Sequence, residues 1–484
     1  MSVRGFAAIC LAPIIGLMST SIAHSEEGGA SFAPCDDRGL APVLATSECA
    51  RISAPLYHDR AGEDRTLELF VRRFPASGAS QGEVWFIAGG PGESGASYYP
   101  AVDFFREVFP NYDLIMPDHR GTGYSAKLCE PEETPDSDEG LVLAGSEWGS
   151  CFGQLYGDME RTHAFNSRQA ALDLDLLTRE IGGGGERFFY GVSYGTGLVL
   201  QYAALTETPP NGLILDSLVA HPDHRSADLS YRSEITHQVG TDVLMACSEA
   251  STCPLGNDAV ARYGALLARI DAGESLSGLE AVPGGDLRQL LGTFLDIPAA
   301  RNRIPTIIAA LEANAPEAAA EIQAAITDTQ AFLAPLAVTP QATSSIPLVA
   351  LMAGSEFNGR RELTAQTVAQ ERADYLFTSP LASLLADTQF PLYERPQTAE
   401  SAGLPPVLLI QGTLDPKTPY DAALARAQSW RESGAVSVLS LSNTPHAAYL
   451  TSQSCLAAPL RAFTDNPVRE ANSSCAPQAV ELRF

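Results

Sequence analysis

Gly191-Val192-Ser193-Tyr194-Gly195 follows an apolar run from Arg187 to Val192 and precedes a stretch of helical spacing that starts at Gly197. A strand, a tight turn carrying a serine between glycines, and a helix are the setting of a nucleophile elbow. Glycines flank the serine because the turn is crowded and leaves no room for Cβ atoms, which pushes the hydroxyl out over the sheet. The alternative is a tight strand-to-helix turn with an inert serine; the joint match of strand, turn and helix favours the nucleophile.

A serine hydroxyl is a weak nucleophile, so it needs a base to take its proton and an acid to orient that base. Behind such an elbow they follow in the order acid, then histidine. Asp415, in Gln411-Gly412-Thr413-Leu414-Asp415, comes just after the apolar run Val407 to Ile410, and His446 comes just after Val436 to Leu441. Alone, Asp415 before Pro416 reads as a helix cap and His446 as a surface residue; their matched positions make them the acid and base. Upstream, Ala88-Gly89-Gly90-Pro91-Gly92 ends another strand-like run with glycines that let the backbone pass close to a carbonyl. The N–H of Gly89 or Gly90, with that of Tyr194, is the oxyanion-hole candidate, each donor worth about 3 kcal/mol. A phosphate-binding loop is disfavoured because no Gly-Lys-Ser/Thr follows.

Further strand-like runs span 67–71, 84–88, 112–117 and 213–215, with helical spacing over 167–181 and 197–206 between them. Alternating strands and helices predict an α/β fold with a mostly parallel sheet flanked by helices on both faces. The interval of about 220–401 lacks strand runs and holds Ala-rich helical stretches at 305–313 and 317–326. It reads as a large helical cap inserted before the last strands, above the sheet edge where ligands bind in open α/β folds.

At the N-terminus Arg4 precedes an apolar run from Phe6 to Met18 and small and polar residues to Ala23-His24-Ser25, the pattern of a signal peptide. The run is short for a membrane anchor, and the residues before Cys10 make a poor lipidation site. The expected division is therefore 1–25 signal peptide, 26–219 first part of the core, 220–400 cap, and 401–484 C-terminal part of the core. Eight cysteines remain in 26–484, an even number that suggests disulfides in an exported protein, periplasmic or secreted. Eight cysteines permit on the order of 100 pairings. The simplest joins sequence neighbours: Cys35 with Cys49, Cys129 with Cys151, Cys247 with Cys253, and Cys455 with Cys475. Zinc is the rival reading, disfavoured because no Cys-x-x-Cys pair exists. The formal net charge of −27 argues against nucleic acid and anionic membrane surfaces as partners.

Three motifs in order, Gly89-Gly90-Pro91-Gly92 with Ser94-Gly95, Asp118-His119-Arg120-Gly121-Thr122-Gly123-Tyr124-Ser125, and Gly191-Val192-Ser193-Tyr194-Gly195-Thr196, resemble the tripeptidyl aminopeptidase and proline iminopeptidase family of α/β-hydrolases. Asp415 with Thr418-Pro419, and His446, match its remaining catalytic positions. Ala88 departs from the His or Pro common before the double glycine, and Ala447 from the Gly common after the histidine; neither is a reacting group. Arg120 reads as a structural residue beneath the site. The resemblance implies a serine exopeptidase acting on peptides with a free N-terminus, without metal or organic cofactor. It also makes Glu356, in the later part of the cap, a candidate partner for the substrate ammonium, although a solvated surface carboxylate is an equal reading. A carboxylesterase with the same triad is the alternative, because fold and triad do not dictate the leaving group.

Overall fold

The computed structural model describes residues 31–138, 143–337, 339–397, 403–431 and 434–484. The segment 1–25 read as a signal peptide and the boundary at 400/401 lie outside the described residues. Ten strands form one sheet: β1 (Ala33–Pro34), β2 (Glu48–Pro55), β3 (Thr66–Phe74), β4 (Gly82–Ile87), β5 (Tyr112–Asp118), β6 (Glu186–Val192), β7 (Gly212–Asp216), β8 (Val407–Gly412), β9 (Val436–Leu441) and β10 (Ser473–Cys475), in the spatial order β1-β2-β3-β5-β4-β6-β7-β8-β9-β10. β1, β2, β3 and β5 pair antiparallel along that edge; every other pair is parallel.

The parallel strands are apolar throughout because both faces are covered. Period-2 alternation then sorts their side chains into two cores. The flanking helices are α1 (Val102–Val108), α2 (Ser167–Glu180), α3 (Tyr194–Leu205) and, near the C-terminus, α10 (Gln453–Asp465). Trp85, Ile87, Phe189, Leu213 and Leu409 pack on one face with residues of α2 and α3, while Val84, Phe86, Tyr190, Ile214 and Leu408 pack on the other with residues of α1 and α10. β3 to β9 lie where strand runs are expected, and the sheet is mostly parallel as predicted. β2 escapes detection because its buried residues, Ala50, Ile52 and Ala54, alternate with exposed ones and two of the three are small.

Between β7 and β8 the described residues hold helices and no strand: α4 (Arg232–Glu249), α5 (Ala259–Asp271), α6 (Pro298–Glu312), α7 (Ala318–Leu333) and α8 (Ile346–Glu356) are the longest. All but α8 contribute to a core of their own, with Val243, Tyr263, Leu291, Phe294, Ile304, Ile307 and Phe377 buried together, while α8 packs Leu348, Leu351 and Met352 into a core of the sheet. After β8 comes α9 (Tyr420–Ser429). Among the described residues no single helix is long and apolar enough to cross a membrane.

The structure joins Cys35 to Cys49, Cys129 to Cys151, Cys247 to Cys253 and Cys455 to Cys475, with Cα–Cα separations of 5.1, 5.2, 5.2 and 6.0 Å. Each separation is ordinary for a disulfide.

Register decides where the loops go. Val192 at the end of β6 lies beside Asp216 of β7, Asp216 beside Ile410 of β8, and Gly412 of β8 beside Leu441 of β9. Four parallel strands therefore end together, and the segments carrying Ser193, Asp415 and His446 all leave the same sheet edge.

Candidate active site

Ser193 follows the last residue of β6 and precedes the first of α3, with φ 55° and ψ −124°. A non-glycine residue there is strained, and the surroundings must hold it. They do so through its backbone: the Ser193 N–H donates to Asp216 O at 3.1 Å, and the Thr196 N–H and hydroxyl donate to Ser193 O at 2.9 and 2.6 Å. Gly195 is dictated by close approach, since a Cβ there would stand 2.2 Å from Ile87 O. The turn thus presses α3 against the end of β4, which brings the Gly89-Gly90 backbone to the serine. A Cβ on Gly89 would lie 3.2 Å from Ser193 Cβ, and Gly90 takes φ 108°, which L side chains rarely adopt. Tyr194 is the first residue of α3, so its amide is among those the helix itself leaves unbonded.

Asp415 and His446 meet. The Nδ1 of His446 lies 2.9 and 3.0 Å from the two carboxylate oxygens of Asp415, whose side chain is fully buried. The carboxylate also accepts from the N–H groups of Lys417 and Thr418, both at 2.8 Å, and from the Thr418 hydroxyl at 2.6 Å. Burial opposes the charge, but His446 and these donors outweigh it and hold the carboxyl down at about 2. A carboxylate facing Nδ1 keeps the proton there and turns Nε2 outward as the basic nitrogen.

The His446 loop is anchored by two residues that sequence reasoning missed, Asp216 and Ser217. The buried Asp216 carboxylate accepts from the N–H groups of Ala448 and Tyr449 at 2.9 and 3.0 Å and from the Tyr190 hydroxyl at 2.8 Å. Ser217 Oγ accepts from the Ala447 N–H at 2.9 Å. Because Asp216 O also receives the Ser193 N–H, a single residue ties the serine turn to the histidine loop. Nothing local marks it, since an Asp closing an apolar strand reads as an ordinary turn residue. Burial raises its carboxyl above the usual range. Gln411 does similar work beneath the acid, donating to Thr418 O at 2.7 Å and accepting from the Leu218 N–H at 2.9 Å.

Arg120 is buried. It pairs in fork geometry with Asp173 of α2 at 2.6 Å through both contacts and donates to Leu56 O and Ala164 O at 2.8 and 2.9 Å, clamping that helix to two other segments.

A cleft of about 360 Å³ opens above Ser193, bounded by Gly90, Pro91, Tyr194 and Thr418 on the sheet side and by Arg232, Ser355 and Glu356 on the helical side. Glu356 is only 6% exposed. Its Oε1 accepts from the Ser167 N–H at 2.9 Å and the Tyr393 hydroxyl at 2.6 Å, and burial raises its carboxyl despite those bonds. It is therefore not a solvated surface carboxylate. Among the described residues no three His, Cys, Asp or Glu side chains converge as metal ligands.

The stretch 84–271 matches the family described as alpha/beta hydrolase fold, and 380–475 matches that of the TAP-like protein. Serine protease Hip1 of Mycobacterium tuberculosis is 28% identical over 229 residues, 43% of this chain and 43% of that protein. The tripeptidyl aminopeptidase of Streptomyces lividans is 26% identical over 194 residues, 36% of this chain and 35% of that protein. The matches thus span less than half the length of these relatives. Proline iminopeptidase from Mycobacterium smegmatis is a distant structural likeness, 14% identical with a TM-score of 0.40, covering 86% of this chain and 97% of the other. The chain is an α/β-hydrolase whose sequence is similar, over part of its length, to tripeptidyl aminopeptidase.

Proposed function

We propose that this chain is an exported serine exopeptidase that releases N-terminal residues or short peptides through an acyl-enzyme. The observation that carries the reading is the joint anchoring of a strained Ser193 turn and the Asp415–His446 pair on Asp216 and its strand. In this reading His446 Nε2 takes the Ser193 proton as the hydroxyl attacks the scissile carbonyl, and the oxyanion develops against the amides of Gly89 or Gly90 and Tyr194. His446 then returns the proton to the leaving amine, and Asp415 stabilises the transient imidazolium. Water, activated by the same base, releases the acyl group.

The helices of 220–400 act as the cap, and Glu356 offers a buried carboxylate to a substrate ammonium. Export is supported by the signal-like segment 1–25 and by four cysteine pairs at bonding separation. Carboxylesterase activity is the second reading, favoured by one fact: Glu356 Oε1 is already engaged by Ser167 and Tyr393. Hydrolysis of prolyl, alanyl and tripeptidyl chromogenic amides, their N-acetylated forms and short acyl esters, by wild type and Ser193→Ala, separates the two. Amide cleavage that needs a free amino group and disappears in the variant supports the exopeptidase; activity confined to esters, or indifferent to acetylation, overturns it.

A further inference from the structure

The chain as a whole carries 58 Asp and Glu against 31 Lys and Arg, yet the cleft above Ser193 reverses that balance. Six cations line it, Arg225, Arg232, Arg361, Arg395, Lys417 and Arg426, against three acids. Most of the six are occupied. Arg225 pairs with Glu234, Lys417 with Asp296 at 2.9 Å, Arg361 donates to Ser355 O and Tyr393 O at 2.8 and 3.1 Å, and Arg426 donates to Val219 O and Ala220 O at 2.9 and 3.1 Å. Arg395 acts on Glu356 electrostatically.

Arg232 is different. It opens α4, is 9% exposed, and among the described residues its guanidinium forms no ion pair and no hydrogen bond; Nε is buried without a partner. A buried guanidinium normally has its donors matched, because an unmatched one forfeits hydration and gains nothing in return. Burial drags its pKa down to about 10 against the pull of Asp415 and Asp296. A planar guanidinium lining the same cleft as Ser193, with no protein acceptor among the described residues, is suited to one ligand chemistry above others, a carboxylate held through two parallel N–H bonds.

We propose that Arg232, with Lys417 lining the same cleft, is a substrate-carboxylate site, so that the preferred substrates carry a carboxylate close to the scissile bond. The carboxylate comes either from the C-terminus of a short peptide or from an Asp or Glu side chain. With Glu356 on the same cleft, a short peptide then meets opposite charges at separate points of the wall, which sets its direction over Ser193. The peptide form of this inference rests on the exopeptidase reading.

The test is kcat/KM of the full chain on tetrapeptides ending in a free acid or a carboxamide, and on a Glu-against-Gln scan through the carboxamide series. The expected result is an advantage of about ten- to hundredfold for one carboxylate form, the worth of hydrogen bonds to a charged group. Arg232→Gln removes that advantage while leaving neutral peptides unchanged, and Arg232→Lys keeps part of it. The free-acid arm identifies the C-terminus as the source and the Glu scan identifies a side chain. The proposal is overturned when no carboxylate peptide outperforms its neutral partner in wild type, or when Arg232→Gln slows all substrates by one factor, which would make Arg232 a support for Asp415. Should peptides prove inert and only esters react, the exopeptidase reading fails, and p-nitrophenyl hemisuccinate against p-nitrophenyl butyrate carries the same comparison: a hemisuccinate preference lost in Arg232→Gln upholds the site, and equal rates overturn it.

Discussion

The two walls of the cleft hold their charged groups in opposite ways. On the sheet wall, the Asp415 carboxylate accepts five hydrogen bonds, from His446, Lys417, Gln411 and twice from Thr418, and that of Asp216 accepts four, from Tyr190, Ser217, Ala448 and Tyr449. On the helical wall, Arg232 has an unmatched Nε and Glu356 is satisfied at one oxygen by groups from two other segments. The sheet wall is hydrogen-bonded within the fold itself, which suits the catalytic role proposed for it, where geometry decides rate. The helical wall keeps polar capacity in reserve, which is what discrimination between substrates needs, because an unmatched buried group rejects a ligand that cannot satisfy it.

Under the proposed function, damage to the sheet wall lowers turnover on every substrate. Asp415→Asn should cost the most, about four orders of magnitude in kcat, because an amide donor facing Nδ1 favours the wrong tautomer. Pre-steady-state and steady-state rates with an unchanged circular dichroism spectrum check it; a loss under tenfold would break the assignment of Asp415 as the acid. Asp216→Ala leaves the amides of Ala448 and Tyr449 and the Tyr190 hydroxyl without their acceptor, so stability should fall by about 2–4 kcal/mol. Its kcat should fall at least about tenfold on peptides and esters alike as the His446 loop loosens. Urea unfolding beside kinetics measures both, and unaltered kcat in a destabilised protein would reduce Asp216 to a purely structural residue.

The helical wall should answer through KM instead. Glu356→Gln keeps an oxygen for Ser167 and Tyr393 while removing the charge, so KM for free-amino substrates should rise about tenfold with kcat little changed. N-acetylated substrates should be unaffected, and an equal effect on both classes would place Glu356 among the packing groups. The smallest effect concerns pH. Asp415 titrates near 2 in the folded chain against an ordinary 3.8. Its ionised form therefore contributes about 2 kcal/mol that is present above about pH 4 and lost as pH falls through about 2. Thermal melting between pH 5 and pH 2 should lose this contribution in wild type and show a shallower acid limb in Asp415→Asn.

The candidate triad could be read from the sequence because each residue stands at a strand end with a local signature: Ser193 between glycines after an apolar run, Asp415 and His446 after two more. The antiparallel strand β2 was not, since its pattern of small buried residues is weak. Asp216 was hidden for another reason. A carboxylate becomes an anchor only when the amides of Ala448 and Tyr449, more than two hundred residues further along, are brought to it.

Taken alone, the sequence determined the alternation of strands and helices, the sharp turn at Ser193 and the placing of Asp415 and His446 after two later strands, because hydrophobic period and glycine placement act over a few residues. Tertiary structure decided that four strands end in register, that Glu356 is buried rather than solvated, and that Arg232 has no partner among the described residues in a cleft whose charge opposes that of the whole chain. Burial and pairing are properties of the surroundings, and those surroundings are assembled from segments far apart along the chain.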